Sequence, residues 1–312
     1  MELLQAGEAA MQRGDQQAAI DDFRRALEIR PDLVEARSQL ASAYFRSGDL
    51  NHARHEFERL HEELPQDAAI AMQLGYTLVK LGRDADAVKV LLPLEGGKEA
   101  NAELEYVLAF AMIQSGRVAE GLPRMEKYAG TAHAANAWVI AGSTRLKLRG
   151  FREAATDLEA AVALDPTLPG AYSLLGQARN ALGQTEQAER AFQLALRADA
   201  RDVTANLYLG IIRLKQRDFE NARPLLELTL QLEPTIPLAR LEMAELNSMT
   251  GHLEEAAKEL EELEKMNPDW PDPHVELAAL YYKMHRREDG QRERAIVEKL
   301  EARAQKEEPS SK

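Results

Sequence analysis

The chain has no cysteine among its 312 residues, which excludes disulfide frameworks, cysteine–zinc sites and thiol nucleophiles. Aromatic residues are scarce: seven Phe, eight Tyr and two Trp make up 5% of a chain that is 45% hydrophobic. The apolar share must come largely from Leu and Ala, which is helix-forming chemistry. Positive charge is in the minority, with 39 Lys and Arg against 52 Asp and Glu for a net of −13. No overall positive field therefore exists to attract nucleic-acid phosphate. No apolar run approaches the roughly 18 residues of a membrane-spanning helix. Met1-Glu2-Leu3-Leu4-Gln5 has no basic segment leading into an apolar stretch, so no signal peptide is expected. The compartment stays open between the cytoplasm, slightly favoured, and envelope association if a leader or anchor has been removed.

What is present is a period. Gly14, Gly48, Gly82, Gly116 and Gly150 are successively 34 residues apart, Gly183 follows after 33, and Gly251 lies 68 further on with Arg217 in the intervening slot. Proline gives a second series: Pro31 and Pro65 differ by 34, Pro234 and Pro268 differ by 34, and Pro166 lies 68 before Pro234. A glycine can end a helix at positive φ, and a proline cannot continue a helix interior. Each unit therefore reads as helix, turn, helix, turn, and a repeat of about 34 residues gives about nine units in the chain.

Small residues recur within these units. Gly7, Ala41, Gly75, Ala109, Ser143, Gly176, Gly210, Ala244 and Ala278 mark one face of each first helix. Ala19, Ala53, Ala87, Gly121, Ala154, Ala188, Ala222, Ala256 and Gly290 mark the facing side of each second helix. Small meets small across each helix pair, and the bulkier Phe23, Phe57, Leu91, Met125, Leu158, Phe192, Leu226 and Leu260 are left to fill the core between repeats. No single pair can bury its apolar face alone, so stacking must supply the partner. The units run over 1–33, 34–67, 68–101, 102–135, 136–168, 169–202, 203–236, 237–270 and 271–304, making one domain, with 305–312 as a polar, frayed tail. Two junctions lack the usual proline: Gly96-Gly97-Lys98-Glu99, and Gly130-Thr131-Ala132-His133, which is expected to form a turn. Arg286 to Arg294 reads as a polar cap on the last unit, where nothing further covers an apolar edge.

The pattern resembles the tetratricopeptide repeat. The resemblance rests on Gly7, Gly14, Ala19, Phe23, Ala26 and Pro31 in the first unit, and on Tyr172, Leu175, Gly176, Gly183, Ala188, Phe192 and Ala195 in the sixth. In the eighth it rests on Ala244, Gly251, Ala256, Leu260 and Pro268. It covers nearly the whole chain and departs most in the fourth unit, at Gly121, Met125 and Tyr128, and in the last, at His285 and Gly290. It implies an all-α, right-handed superhelical solenoid that recognises a peptide or protein in a concave groove lined by first helices.

The helical period places the fifth, ninth and twelfth residues of each unit near one face. In units two to four that face carries Phe45, Met72, Tyr76, Val79, Tyr106, Phe110 and Ile113, with Lys80 alongside. A weaker strip in unit seven carries Leu207, Ile211 and Leu214, next to Tyr208 and Lys215. Two readings stand: an apolar groove that takes a helix or extended peptide of a partner, or packing between neighbouring first helices. A carboxylate clamp of the kind known in the family is not expected, because Ser38, Ser42, Met72, Tyr76, Tyr106 and Phe110 stand where its charged donors would sit.

Catalysis has little support. His52 and His55 lie three apart beside Glu56 but lack further local ligands. Among Glu254, Glu255, Glu259, Glu261, Glu262 and Glu264, many fall at surface-pairing spacings from Lys258 or Lys265. No phosphate-binding glycine loop is found. The expectation is a non-enzymatic scaffold or adaptor with a protein or peptide partner and no cofactor, metal or nucleic acid. The alternative is a structural spacer without a dedicated ligand.

Overall fold

The computed structural model describes residues 2–97 and 101–307, within which the chain forms eighteen α-helices and one short 3-10 turn. Two compact units divide it. The first holds α1 (Glu2–Arg13), α2 (Gln16–Ile29), α3 (Val34–Ser47), α4 (Leu50–Glu63), α5 (Ala68–Lys80), α6 (Asp84–Leu91), α7 (Ala102–Gln114), α8 (Val118–Ala132) and α9 (Ala135–Lys147). The second begins at Gly150, just before α10 (Phe151–Leu164), and continues through α11 (Ala171–Ala181), α12 (Thr185–Ala198), α13 (Val203–Lys215), α14 (Phe219–Leu232), α15 (Pro237–Met249), α16 (Leu253–Met266), α17 (Pro271–Lys283) and α18 (Arg287–Glu307). Within the units α1, α3, α5, α7, α11, α13, α15 and α17 each pack on the second helix that follows, and α2, α4, α6, α8, α12, α14 and α16 each pack on the next first helix.

Local chemistry sets the helix ends. The Asp49 carboxylate accepts the His52 N–H, Asp67 accepts those of Ala69 and Ile70, and Asp202 accepts that of Ala205, each satisfying an orphan donor of a first turn. Gly14, Gly48, Gly82, Gly116, Gly183 and Gly251 adopt positive φ in the turns within pairs, where glycine has no Cβ penalty. Gly150 does not. In the fifth repeat Arg149 takes that conformation at φ 62°, and Arg217 at 60° and His285 at 61° take it in the seventh and ninth. Counted through these residues, the only departure from a 34-residue spacing is 33 between Gly116 and Arg149. The same shift makes Gly142 the buried small residue of α9, while Ser143 is half-buried and its hydroxyl donates to the Ile140 carbonyl.

The missing residue traces to the junction after α8. Gly130-Thr131-Ala132 is helical rather than a turn, and only His133, at φ 50°, and Ala134 separate α8 from α9. Four residues separate α2 from α3 and α4 from α5. At the other irregular junction a 3-10 turn, Leu92–Leu94, follows the short α6. Lys98 and Glu99 lie outside the described residues, as does the tail from residue 308.

The core follows the small-against-large pattern. Phe23, Phe57, Leu91, Met125, Leu158, Phe192, Leu226 and Leu260 are all at most 1% exposed, each burial contributing roughly 1.5–3 kcal/mol. A Cβ added at Gly75 would stand 2.5 Å from the Leu91 side chain, and one at Gly7 would stand 2.5 Å from Phe23. The glycines are thus the space into which the second-helix residues fit. The ninth pair keeps this close approach: a Cβ at Gly290 would stand 3.1 Å from the Ala278 carbonyl oxygen. Arg286 and Arg292 meanwhile pair locally with Asp289.

A polar tie recurs at the fourth residue of several first helices. Arg37, 4% exposed, donates to the Pro31 carbonyl at 2.5 Å and to Glu56 at 3.4 Å. Arg240 bonds Glu259, and His274 Nδ1 lies 2.7 Å from Glu293 while its Nε2 faces the Pro268 carbonyl at 3.4 Å. Asn206 donates to the Ala200 and Asp202 carbonyls at 3.1 and 2.9 Å. Arg37 and His274 thus fix the incoming chain onto the helix pair, whereas Arg240 reaches only α16 and Asn206 only the preceding turn.

Candidate functional site

Three successive first helices of the first unit, α3, α5 and α7, carry the predicted aromatic strip. Phe45, Met72, Tyr76, Val79, Tyr106 and Phe110 are each only partly buried and pack at the margin of the core. Ile113 differs, being 8% exposed and part of the core around Met125. The strip is linked across repeats. Lys80 Nζ sits 5.5 Å from the Phe45 ring centroid, and the Tyr76 hydroxyl donates to Glu103 at 2.5 Å. Tyr106 stacks on Phe110 at 6.5 Å and meets Tyr128 of α8 at 5.2 Å. Burial and the Glu103 hydrogen bond push the Tyr76 hydroxyl well above the usual tyrosine range, so it remains a donor at neutral pH. Nearby, Arg124 pairs with Glu95 and, at 3.7 Å, with Glu105, and the Arg124 hydrogen bond holds the Glu95 carboxyl below the usual carboxylate range.

The corresponding strip in the second unit is consumed by packing. Leu207, Ile211 and Leu214 are 6%, 7% and 1% exposed and belong to one core cluster. Tyr208 is half-buried and lies parallel to Phe192, centroids 5.5 Å apart. Lys215 is exposed.

Two features were missed from the sequence. The first lies on α15 and α17: Glu242 is 9% exposed, yet its Oε2 has no hydrogen-bond partner among the described residues. Burial, with the charge of Glu245 next in effect, pushes its carboxyl up to about 7, and Glu276 and Asp272 add to the rise while Lys215 opposes it. Glu276 is also raised by burial. Glu242 and Glu276 are 34 residues apart, so the repeat itself could have flagged two acids at one place on successive first helices.

The second is the trio Glu264, His274 and Glu293, whose donor atoms all lie within 4.8 Å of one another. His274 is 4% exposed. The recurrence of its Glu293 bond at Arg37–Glu56 and Arg240–Glu259 explains the trio as a structural tie. His52, by contrast, stacks on Tyr44 at 5.0 Å and bonds Asp49 at 2.7 Å. No helix among the described residues is long and apolar enough to cross a membrane.

Comparison with known proteins agrees with this architecture. The profile described as "TPR repeat" matches residues 7–48, and two described as "Tetratricopeptide repeat" match 38–96 with 173–235, and 213–281. Together they reach well over half of the chain and leave out the irregular fourth and fifth repeats. Bacteriophage adsorption protein A of Escherichia coli K12 is 37% identical over 70 residues, 22% of this chain and 7% of its own length. Small glutamine-rich tetratricopeptide repeat-containing protein 2 of Saccharomyces cerevisiae is 32% identical over 90 residues, 29% of this chain and 24% of its own. The matched stretch thus spans no more than a quarter of either relative. The C-terminal part of a TPR repeat-containing protein from Cytophaga hutchinsonii superposes with a TM-score of 0.62 at 16% identity, over 76% of this chain and 97% of that one; at that identity the likeness is one of fold.

Proposed function

The chain belongs to the tetratricopeptide-repeat family, and from that premise we propose that it is a protein–protein interaction scaffold without catalysis of its own. Its partner lies along the first-helix face of α3, α5 and α7, taken here as a concave groove. The observation that carries this reading is the aromatic row itself. Phe45, Tyr76, Tyr106 and Phe110 come from three successive first helices and stay partly open beside a filled core, in a chain only 5% aromatic. Aromatic anchors of this kind supply a large share of interface energy, and Lys80 and Glu103 add one charge of each sign at their margin. The occupant is a helix or extended segment of a partner that lays apolar side chains into the row.

The test is photo-crosslinking in the native cell from a probe placed at Lys80, followed by identification of the captured protein. A single partner whose capture is lost in Tyr76→Ala and Phe110→Ala chains of unchanged far-UV circular dichroism supports the groove. Loss of helicity in parallel with capture would assign the row to packing, and no capture at all would leave a spacer.

A further inference from the structure

We propose that a second recognition site, on the first-helix face where α13, α15 and α17 adjoin, seats a cationic side chain, an arginine or lysine of a partner protein, among Glu242, Glu245, Asp272 and Glu276. The site belongs to the second compact unit and does not depend on the aromatic row of the first. Helix α15 touches both α13 and α17, so residues at matching places on these helices share one surface. Glu242 and Glu276 hold such matching places, one repeat apart.

The decisive observation is Glu242. It is nine-tenths buried, 9% exposed, and its Oε2 bonds to nothing among the described residues. A buried carboxylate without a partner is costly. Elsewhere even half-buried carboxylates of this chain receive an arginine: Arg37 for Glu56, Arg213 for Glu189 and Arg240 for Glu259. Here the described residues supply no bonded partner to Glu242: Lys215 acts on it, and Lys283 on Glu276, only through their charge. Lys283 is turned to the Ser248 hydroxyl at 3.0 Å. Asp272 accepts the Trp270 indole N–H at 3.0 Å, which brings an aromatic ring beside the acids and adds a surface suited to a cation. A guest guanidinium or ammonium would supply what arginines supply at the other repeats, with charge-assisted hydrogen bonds to the orphaned carboxylate.

The charged groups that bear on Glu242 are Glu245 on its own helix, Lys215 on α13, and Asp272 and Glu276 on α17, and its carboxyl is held near neutrality. Seating a cation there therefore expels a proton at about pH 7.

The full-length chain is titrated with fluorescein-labelled, C-amidated hexa-arginine near physiological ionic strength, with hexa-citrulline as the uncharged counterpart. Binding of hexa-arginine alone, tighter at about pH 8 than at about pH 6, is expected. E242Q/E276Q should weaken it by about tenfold or more, whereas E254Q/E255Q on the exposed side of α16, with the same change in net charge, should weaken it less than about twofold. The single variant Glu276→Gln, at a half-buried position, should retain the fold and give a measurable part of the loss. Binding unchanged in Tyr76→Ala/Phe110→Ala separates this site from the aromatic row. Equal losses in the two double variants, no binding, or Ca²⁺ uptake with the same variant pattern in place of peptide binding would each overturn the proposal.

Discussion

His274 Nδ1 lies 2.7 Å from Glu293 Oε2, nineteen residues further on, and the same separation joins Arg37 to Glu56 and Arg240 to Glu259. One repeat position thus performs one task with two side-chain chemistries. It ties the start of a first helix to its second helix and, at Arg37 and His274, to the carbonyl of the preceding turn.

Replacing His274 with leucine should therefore leave the half-buried Glu293 without its partner and destabilise the last pair by roughly 1–3 kcal/mol. His274→Arg should restore the arrangement of the second and eighth repeats. Hydrogen exchange of α17 and α18 reads both: faster in the leucine variant, near the parent rate in the arginine one. A metal role for the trio would predict the reverse for arginine.

The left-handed residues offer a second check. Arg149→Gly should stabilise the chain by about 1 kcal/mol, because the parent arginine is held at φ 62° against the steric preference of an L-residue. Gly150→Ala should be close to neutral, while Gly183→Ala, at φ 72°, should cost about 1 kcal/mol. Chemical denaturation of the three variants distinguishes this assignment from one in which Gly150 is the turn residue.

Gly75→Ala should cost about 1–3 kcal/mol by forcing a methyl group against Leu91. In a double-mutant cycle, Leu91→Ala should recover part of that loss, because the two residues share one volume. Additive losses would place the effect elsewhere.

Glu242 gives the chain a pH dependence of known sign. The folded state raises its carboxyl from the ordinary 4.5 to about 7, so it binds that proton more tightly than the unfolded chain does. The stabilisation is complete below about pH 4.5 and is lost as pH rises through about 7. Glu242→Gln should flatten the stability profile across that window and raise stability at about pH 8 by on the order of 1–3 kcal/mol. Denaturation midpoints across pH check it.

Much of this was legible from the sequence. The 34-residue period, the paired helices and the buried Phe and Leu series follow from local rules: capping, positive φ and small-against-large spacing. The fifth repeat shows the limit. Gly150 continued the glycine count, but shortening of the α8–α9 junction moved the turn to Arg149 and the buried small residue to Gly142. Either register satisfied the same composition, and packing selected one.

The site was legible only in part. Spacing placed Phe45, Tyr76, Tyr106 and Phe110 on a common face, and gave Leu207, Ile211 and Leu214 as a weaker strip of the same kind. What the sequence by itself determined is the repeating secondary structure and its complementary small and large residues, because these depend on neighbours along one helix pair. What only the tertiary structure decided is which apolar residues the core absorbs and which acid it buries unpaired. Exposure at Leu214 or Glu242 is fixed by side chains from adjoining repeats, whose approach no single period encodes.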